Sequence, residues 1–276
     1  MDVGIASLPW YDLPEIRGET DRLWRRIAEA LRARGVHEAP DHLLRGETHD
    51  RPWYSSRFLL GQCCGYDLVL PHAGRLQPVA TPAYASSRTG PGRYRSLVVV
   101  GSTCDAASIE DLRGLRCAVN GATSHSGMGV LSTLVAPHSA GGRFFSRVTI
   151  TGSHESSVEA LQRGDSDVAA IDSVVFALLE RYRPSALYGL RVLCETPDAG
   201  APPYVTSAAT SPERLAHLRA ALQEAMADPN LAKTREALLL EGIVGSSPAA
   251  YREILDGVRR AREFGYCILR DTAVAA

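Results

Sequence analysis

The run Asn120-Gly121-Ala122-Thr123-Ser124-His125-Ser126-Gly127-Met128-Gly129 places hydroxyls, glycines and a histidine between two apolar segments, residues 115–119 and 130–135. The first reads as a strand and the second as a helix. A strand feeding such a turn into a helix aims backbone N–H groups, hydroxyls and the positive end of the helix dipole at one spot, which is how an anion site is built. Ser and Thr are also favoured there for capping alone, so this run by itself leaves both a helix cap and an anion cradle open. Other groups able to do chemistry sit in comparable places. His154 lies in Gly152-Ser153-His154-Glu155, Asp172-Ser173 follows the apolar residues 168–171, Trp10-Tyr11-Asp12 follows residues 3–8, and Gln62-Cys63-Cys64-Gly65-Tyr66 precedes another apolar run.

These loops need elements to hold them, and the chain alternates strand-like with helix-like segments. Residues 3–8, 67–70, 76–80, 94–100, 149–151, 168–171 and 190–194 read as strands. Residues 20–34, with Leu23, Trp24, Ile27, Ala30 and Leu31 at helical spacing, read as a helix stopped by Gly35, and 156–163, 173–181, 212–228, 230–241 and 249–264 read as further helices. Strands alternating with helices call for an α/β fold around a mostly parallel sheet. Ligands in such sheets sit beyond the carboxyl ends of strands, where these polar loops fall.

Composition narrows the function classes. At 276 residues and 45% hydrophobic, the chain is long enough for two compact lobes. A formal charge of -1 argues against a nucleic-acid protein, because phosphate backbones are held by an excess of cations that this chain lacks. Lys233 is the sole lysine, which argues against Schiff-base chemistry. Six cysteines form no C-x-x-C, and adjacent Cys63-Cys64 rarely bridge, so free thiols are expected. No stretch approaches the roughly 18 apolar residues of a membrane helix. The amino terminus as written carries no signal peptide, so the expected location is cytoplasmic, or periplasmic if a leader has been removed. His125, His154 and Asp172 are too scattered to predict a metal site, and no cofactor is expected.

The succession Gln62-x-Cys64-Gly65-Tyr66, Tyr94-Arg95-Ser96-Leu97, Asn120-x-x-x-Ser124-x-Ser126-Gly127, Gly152-Ser153-His154-x-x-Ser157 and Asp167-Val168-Ala169-Ala170-Ile171-Asp172-Ser173 resembles the phosphate/phosphite/phosphonate-binding proteins of ABC importers. The likeness runs through residues 3–210 in order. It implies a type II periplasmic-binding-protein-like fold, two α/β lobes joined by two crossing strands with a cleft between. Lobe one is expected at 1–98 plus 206–276 and lobe two at 99–205, with crossings near 96–100 and 203–207.

By the same resemblance, Ser124, His125 and Ser126 with their backbone amides face the anionic head of a ligand. His125 stands where the family usually has a small hydroxyl residue. His154 is placed against the same head, Tyr11 and Tyr94 as aromatic walls, and Asp172 as an acidic partner for a ligand amine. Gln62, Cys64, Asn120 and Gly127 complete the implied site. Five local readings stay open beside these: Asp172-Ser173 as a helix cap, His154-Glu155 as first-turn helix polarity, Trp10 and Tyr11 as lobe-surface aromatics, Cys63-Cys64 as tightly packed small residues, and Tyr94 with Arg95 as part of a hinge. The expected function is binding of a small phosphonate-like anion or zwitterion, with an ABC permease as partner. The alternatives are a cytoplasmic enzyme on the same scaffold using His154, Asp172 and Cys64, and a cytoplasmic ligand sensor.

Overall fold

The computed structural model describes residues 3–85 and 89–271. Met1 and Asp2, part of the leader reading, and positions 272–276 of the expected first lobe lie outside the described residues. Along the chain come β1 (Ile5–Ser7), α1 (Arg17–Arg32), β2 (Phe58–Gln62), α2 (Gly65–Val69) and β3 (Leu76–Tyr84), then β4 (Arg93–Tyr94), β5 (Ser96–Gly101) and β6 (Arg116–Val119). A π-helical turn, His125–Gly129, runs into α3 (Val130–Val135), followed by β7 (Arg147–Ile150), α4 (His154–Gln162), β8 (Val168–Asp172), α5 (Ser173–Tyr182) and β9 (Leu190–Glu195). The last elements are β10 (Ala199–Gly200), β11 (Tyr204–Ser207), α6 (Pro212–Ala227), α7 (Ala232–Ala237), β12 (Leu240–Val244) and α8 (Arg252–Glu263).

Two compact units result. The first takes the chain up to Arg93 with Gly200–Tyr251, and the second takes Tyr94–Ala199 with the chain from Arg252 onward. The backbone therefore passes between units three times, at Arg93-Tyr94, Ala199-Gly200 and Tyr251-Arg252. The expected division kept the whole late chain in lobe one. Instead α8 packs in the second unit, where it buries Ile254, Gly257 and Ala261 and lies against α3. Gly257 permits the approach, since a Cβ there would meet Thr133 Oγ1 at 3.0 Å. The Asp271 carboxylate then fastens the tail by accepting from the backbone N–H groups of Phe144 and Phe145, both at 3.3 Å, and from Tyr266 Oη at 3.1 Å.

The first unit is built on a five-stranded sheet in the order β1-β2-β11-β3-β12. Only β1 and β2 pair in parallel; β11 is antiparallel to both neighbours and β12 to β3. The stripe Leu23, Trp24, Ile27, Ala30 and Leu31 of α1 is buried, each large side chain contributing about 1.5–3 kcal/mol. α1 packs on α6, and the pair is tied at its rim by Arg26 and Arg34 to Glu224.

The second unit has its own sheet, ordered β7-β6-β8-β5-β9, with β7, β6 and β8 parallel and β5 antiparallel to β8 and β9. Both sheets are thus mixed rather than mostly parallel, because the strands next to the passages, β5 and β11, run against their neighbours.

Three local expectations also change. Residues 67–70 do not form a strand: Gly65–Val69 is a helical turn with Asp67 in its first turn, where a negative charge suits the helix dipole. The wholly buried β2 lay unread in the sequence, its apolar run lacking any alternation. The helix expected to reach residue 241 ends at Ala237; Leu239 adopts a left-handed φ of 56° and the chain turns back into β12.

Candidate functional site

In the second unit, β6 delivers Asn120 to the carboxyl edge of the sheet, and the turn after it is braced from within. Ser124 caps it, its Oγ accepting from Gly127 N at 3.2 Å, while Gly129 N donates to Ser124 O at 2.9 Å in the five-residue step of a π turn. Such turns recur at functional sites because they re-aim side chains. Ser124 Oγ lies 3.2 Å from Ser126 Oγ, and Ser126 Oγ lies 2.7 Å from His154 Nε2. His154 opens α4, itself capped by Ser153, so a residue 28 positions away is brought onto the serine pair by the parallel β6–β7 register. The Ser126–His154 hydrogen bond runs in either direction according to the ring tautomer, and both directions fix the hydroxyl in place.

Glycines make this geometry possible. A Cβ on Gly127 would stand 2.1 Å from Asn120 Oδ1, so the turn closes on Asn120 only with glycine at that position. A Cβ on Gly129 would meet His125 Nδ1 at 3.0 Å, which places the His125 ring along the helix.

Burial sets the charge state of both histidines. It pushes His154 down to about 3, with the Ala170 backbone pulling more weakly the other way. Among the described residues no hydrogen bond of normal geometry reaches the buried Nδ1. His125 keeps a partly exposed edge, yet protein crowds its ring enough to push it down to about 4. Neither ring is charged at neutral pH, so His125 does not add a positive charge where a small hydroxyl residue was expected. Hydroxyls and backbone N–H groups remain as the donors of the cradle.

Asp172 ends β8 and caps α5, its Oδ1 accepting from Val174 N at 2.8 Å and from Val175 N at 3.4 Å. The helix-cap reading of Asp172-Ser173 therefore holds, and it does not exclude ligand contact. Tyr94, also in this unit, is 2% exposed. Ser96 lies opposite Asp172 across the β5–β8 pair, and the hydroxyls of Ser96 and Ser173 are buried without a hydrogen-bond partner among the described residues. Both serines stand in the motifs that carry the family resemblance, although neither is assigned a ligand contact there.

Tyr11, Gln62 and Cys64 belong to the first unit. Tyr11 adopts a left-handed φ of 62° and sets its ring edge-on to Tyr84, centroids 5.0 Å apart. Gln62 Nε2 donates to Tyr84 Oη at 3.4 Å and to Pro202 O at 3.0 Å. Tyr84 thus joins two expected site residues, and nothing in its strand-like context marked it. Cys64 is nearly buried at the start of α2, and burial pushes the neighbouring Cys63 thiol well up, away from thiolate chemistry. Among the described residues no group of three His, Cys, Asp or Glu side chains is placed to hold a metal ion, and no helix is long and apolar enough to cross a membrane.

The family described as "ABC transporter, phosphonate, periplasmic substrate-binding protein" matches residues 62–251. Solved structures share the fold at low identity. A binding protein component of an ABC phosphonate transporter from Pseudomonas aeruginosa superposes with a TM-score of 0.77 at 16% identity, covering 100% of this chain and 90% of its own. PhnD1 from Prochlorococcus marinus, in complex with methylphosphonate, gives 0.75 at 13% identity over 95% of this chain and 98% of its own. XAC2383 from Xanthomonas citri, bound to chloride ion, gives 0.72 at 17% identity over 95% and 99%. No curated protein matches the sequence.

Proposed function

We propose that this chain, which belongs to the family of phosphonate ABC-transporter periplasmic substrate-binding proteins, binds a small phosphonate-like oxyanion through the Ser124–Ser126 hydroxyl pair and releases it unchanged to a permease. One observation carries the reading: two hydroxyls 3.2 Å apart, one anchored at 2.7 Å by a buried neutral histidine, form a preorganised donor pair on the turn. Neutral donors hold an anion by direct hydrogen bonds rather than by an ion pair. Asn120 and Gly127 shape the turn, and His125 borders it as the residue that adjusts which head group fits. Tyr94 and Asp172 of the second unit, and Tyr11, Gln62 and Cys64 of the first, are the remaining proposed ligand-binding residues.

Chemistry at the same site draws less support. A general base works best with its pKa near the operating pH, and His154, neutral down to about 3, is a feeble proton acceptor for Ser126. Asp172 is already committed to capping α5. The family description also supports the periplasm over the cytoplasm as the place of action.

A thermal-shift screen with phosphate, phosphite, methylphosphonate and 2-aminoethylphosphonate tests the proposal. A ligand at about 100 times its Kd adds about 2.7 kcal/mol of stability. The expected result is a clear upward shift in Tm with at least one of the four and its loss in Ser126→Ala. No shift with any of them sinks the reading.

A further inference from the structure

We propose that Arg45 is a positioning residue for ligand binding: by clamping Asp12 it holds the adjacent Tyr11 in its left-handed backbone conformation, with the Tyr11 ring set against Tyr84. This rests on the oxyanion-binding reading above and adds to it a residue outside every loop so far considered.

The starting observation is the φ of 62° at Tyr11. A residue with a side chain is disfavoured in this region, because its Cβ crowds the following carbonyl. Such conformations persist where the surroundings over-determine them, and they cluster at binding sites. A connection that only had to reverse direction would be served by glycine at this φ. What tyrosine adds is a ring, and the ring is used: it packs edge-on to Tyr84, whose hydroxyl accepts from Gln62. Tyr11 is partly exposed and follows β1, one of the two parallel strands of this sheet, on the carboxyl-end side where open α/β sheets take ligands.

The restraint comes from the next residue. Arg45 grips the nearly buried Asp12 carboxylate with both arms of its fork, Nε to Oδ2 at 2.6 Å and Nη2 to Oδ1 at 3.2 Å. Its third nitrogen, Nη1, reaches Asp21 on α1 at 2.7 Å, and Arg17 adds a looser contact to Asp12 at 3.7 Å. The base of the clamp is rigid as well. Leu44, just before Arg45, donates from its backbone to Ala6 O at 2.7 Å, and Ser7 Oγ donates to Leu44 O at 3.2 Å, so the arginine springs from a segment pinned to β1. Beyond Asp12 the chain is held by buried Leu13 and Ile16, with Ile16 N donating to Leu13 O at 2.9 Å. Tyr11 therefore sits beside a fixed point, and removing the fork frees the backbone to leave the strained region. Lysine cannot replace the fork, because a single ammonium does not grip both carboxylate oxygens.

The test is a double-mutant cycle on the full chain, with methylphosphonate as the probe, Kd by calorimetry and Tm by thermal melt. Arg45→Met and Arg45→Lys are each expected to weaken binding about tenfold with the melt still cooperative. Tyr11→Gly should weaken it similarly, since the ring is lost, while the relief of backbone strain offsets part of the lost packing in the melt. In the Arg45→Met, Tyr11→Gly double variant the loss should be no greater than in either single one, because the arginine acts through the tyrosine. If Arg45→Met fails to fold, Asp12→Asn, which keeps the shape and weakens the clamp, replaces it in the cycle. Wild-type affinity in the clamp variant, or losses that multiply in the double variant, overturns the proposal while leaving the binding reading intact. If the wild-type chain binds none of the four oxyanions of the screen, both readings fall together.

Discussion

Acid should destabilise this protein well above the pH at which its carboxylates titrate, through histidines folded in their neutral form. His154 is pushed down to about 3 in the native state, against about 6.5 when unfolded. A depressed native pKa means that stability is intact above about 6.5 and is lost as pH falls from there toward about 3, since only the unfolded chain takes up the proton. At about pH 5 the unfolded imidazole is nearly all charged and His154 is not, a linked loss of about 2 kcal/mol relative to about pH 7.5. His125, pushed down to about 4, adds a similar amount. The assay is urea unfolding of the ligand-free protein at both pH values, followed by far-UV circular dichroism. Tryptophan fluorescence would report on the wrong unit, because Trp10, Trp24 and Trp53 all lie in the first. His154→Gln keeps an amide beside Ser126 and cannot titrate, so it should shed about 2 kcal/mol of the acid sensitivity, and the double variant with His125→Gln about 4 kcal/mol. If wild type and His154→Gln lose the same stability between the two pH values, the native ring is protonated and the neutral cradle is wrong.

Other substitutions probe the same turn. Gly127→Ala forces a methyl to within 2.1 Å of Asn120 Oδ1 and should cost about 1–3 kcal/mol in a urea melt, partly recovered by adding Asn120→Ser. Ser126→Ala strips the buried His154 Nε2 of its partner, so besides losing ligand response it should lower stability by about 1–3 kcal/mol. Asp172→Asn retains a capping oxygen and should leave Tm nearly unchanged, whereas Asp172→Ala should cost about 1 kcal/mol. If Asp172 meets a ligand amine, Asp172→Asn weakens 2-aminoethylphosphonate more than methylphosphonate, a difference calorimetry reads directly.

The parts of this molecule that were legible in its sequence are those whose signals are local. The serine turn could be read because glycines and hydroxyls punctuate it, and α1 because its apolar stripe repeats at helical spacing. The meeting of Ser126 with His154 was reached only through a resemblance, since strand register brings them together. Tyr84 fell beyond the strand read over residues 76–80, and Arg45 in a polar stretch whose partners, Asp12 and Asp21, lie 33 and 24 positions away. α8 shows the limit clearly: its stripe announces that it must be covered, but amphipathicity names no partner. The strand β12 was lost because a left-handed Leu239 ends the preceding helix where no glycine gives warning.

The three passages of the backbone between units bear on how the molecule is made. The first unit needs Gly200–Tyr251 and the second needs the chain from Arg252 onward, so neither unit is completed by the continuous segment that begins it. Proteins built of contiguous domains can complete the amino-terminal one while the rest is still being synthesised. Here the early strands wait, incompletely paired, for partners translated some 120 residues later, as β3 does for β11. A chain of this design exposes unpaired strand edges until its distant segments meet, the condition in which a polypeptide is open to capture by a chaperone.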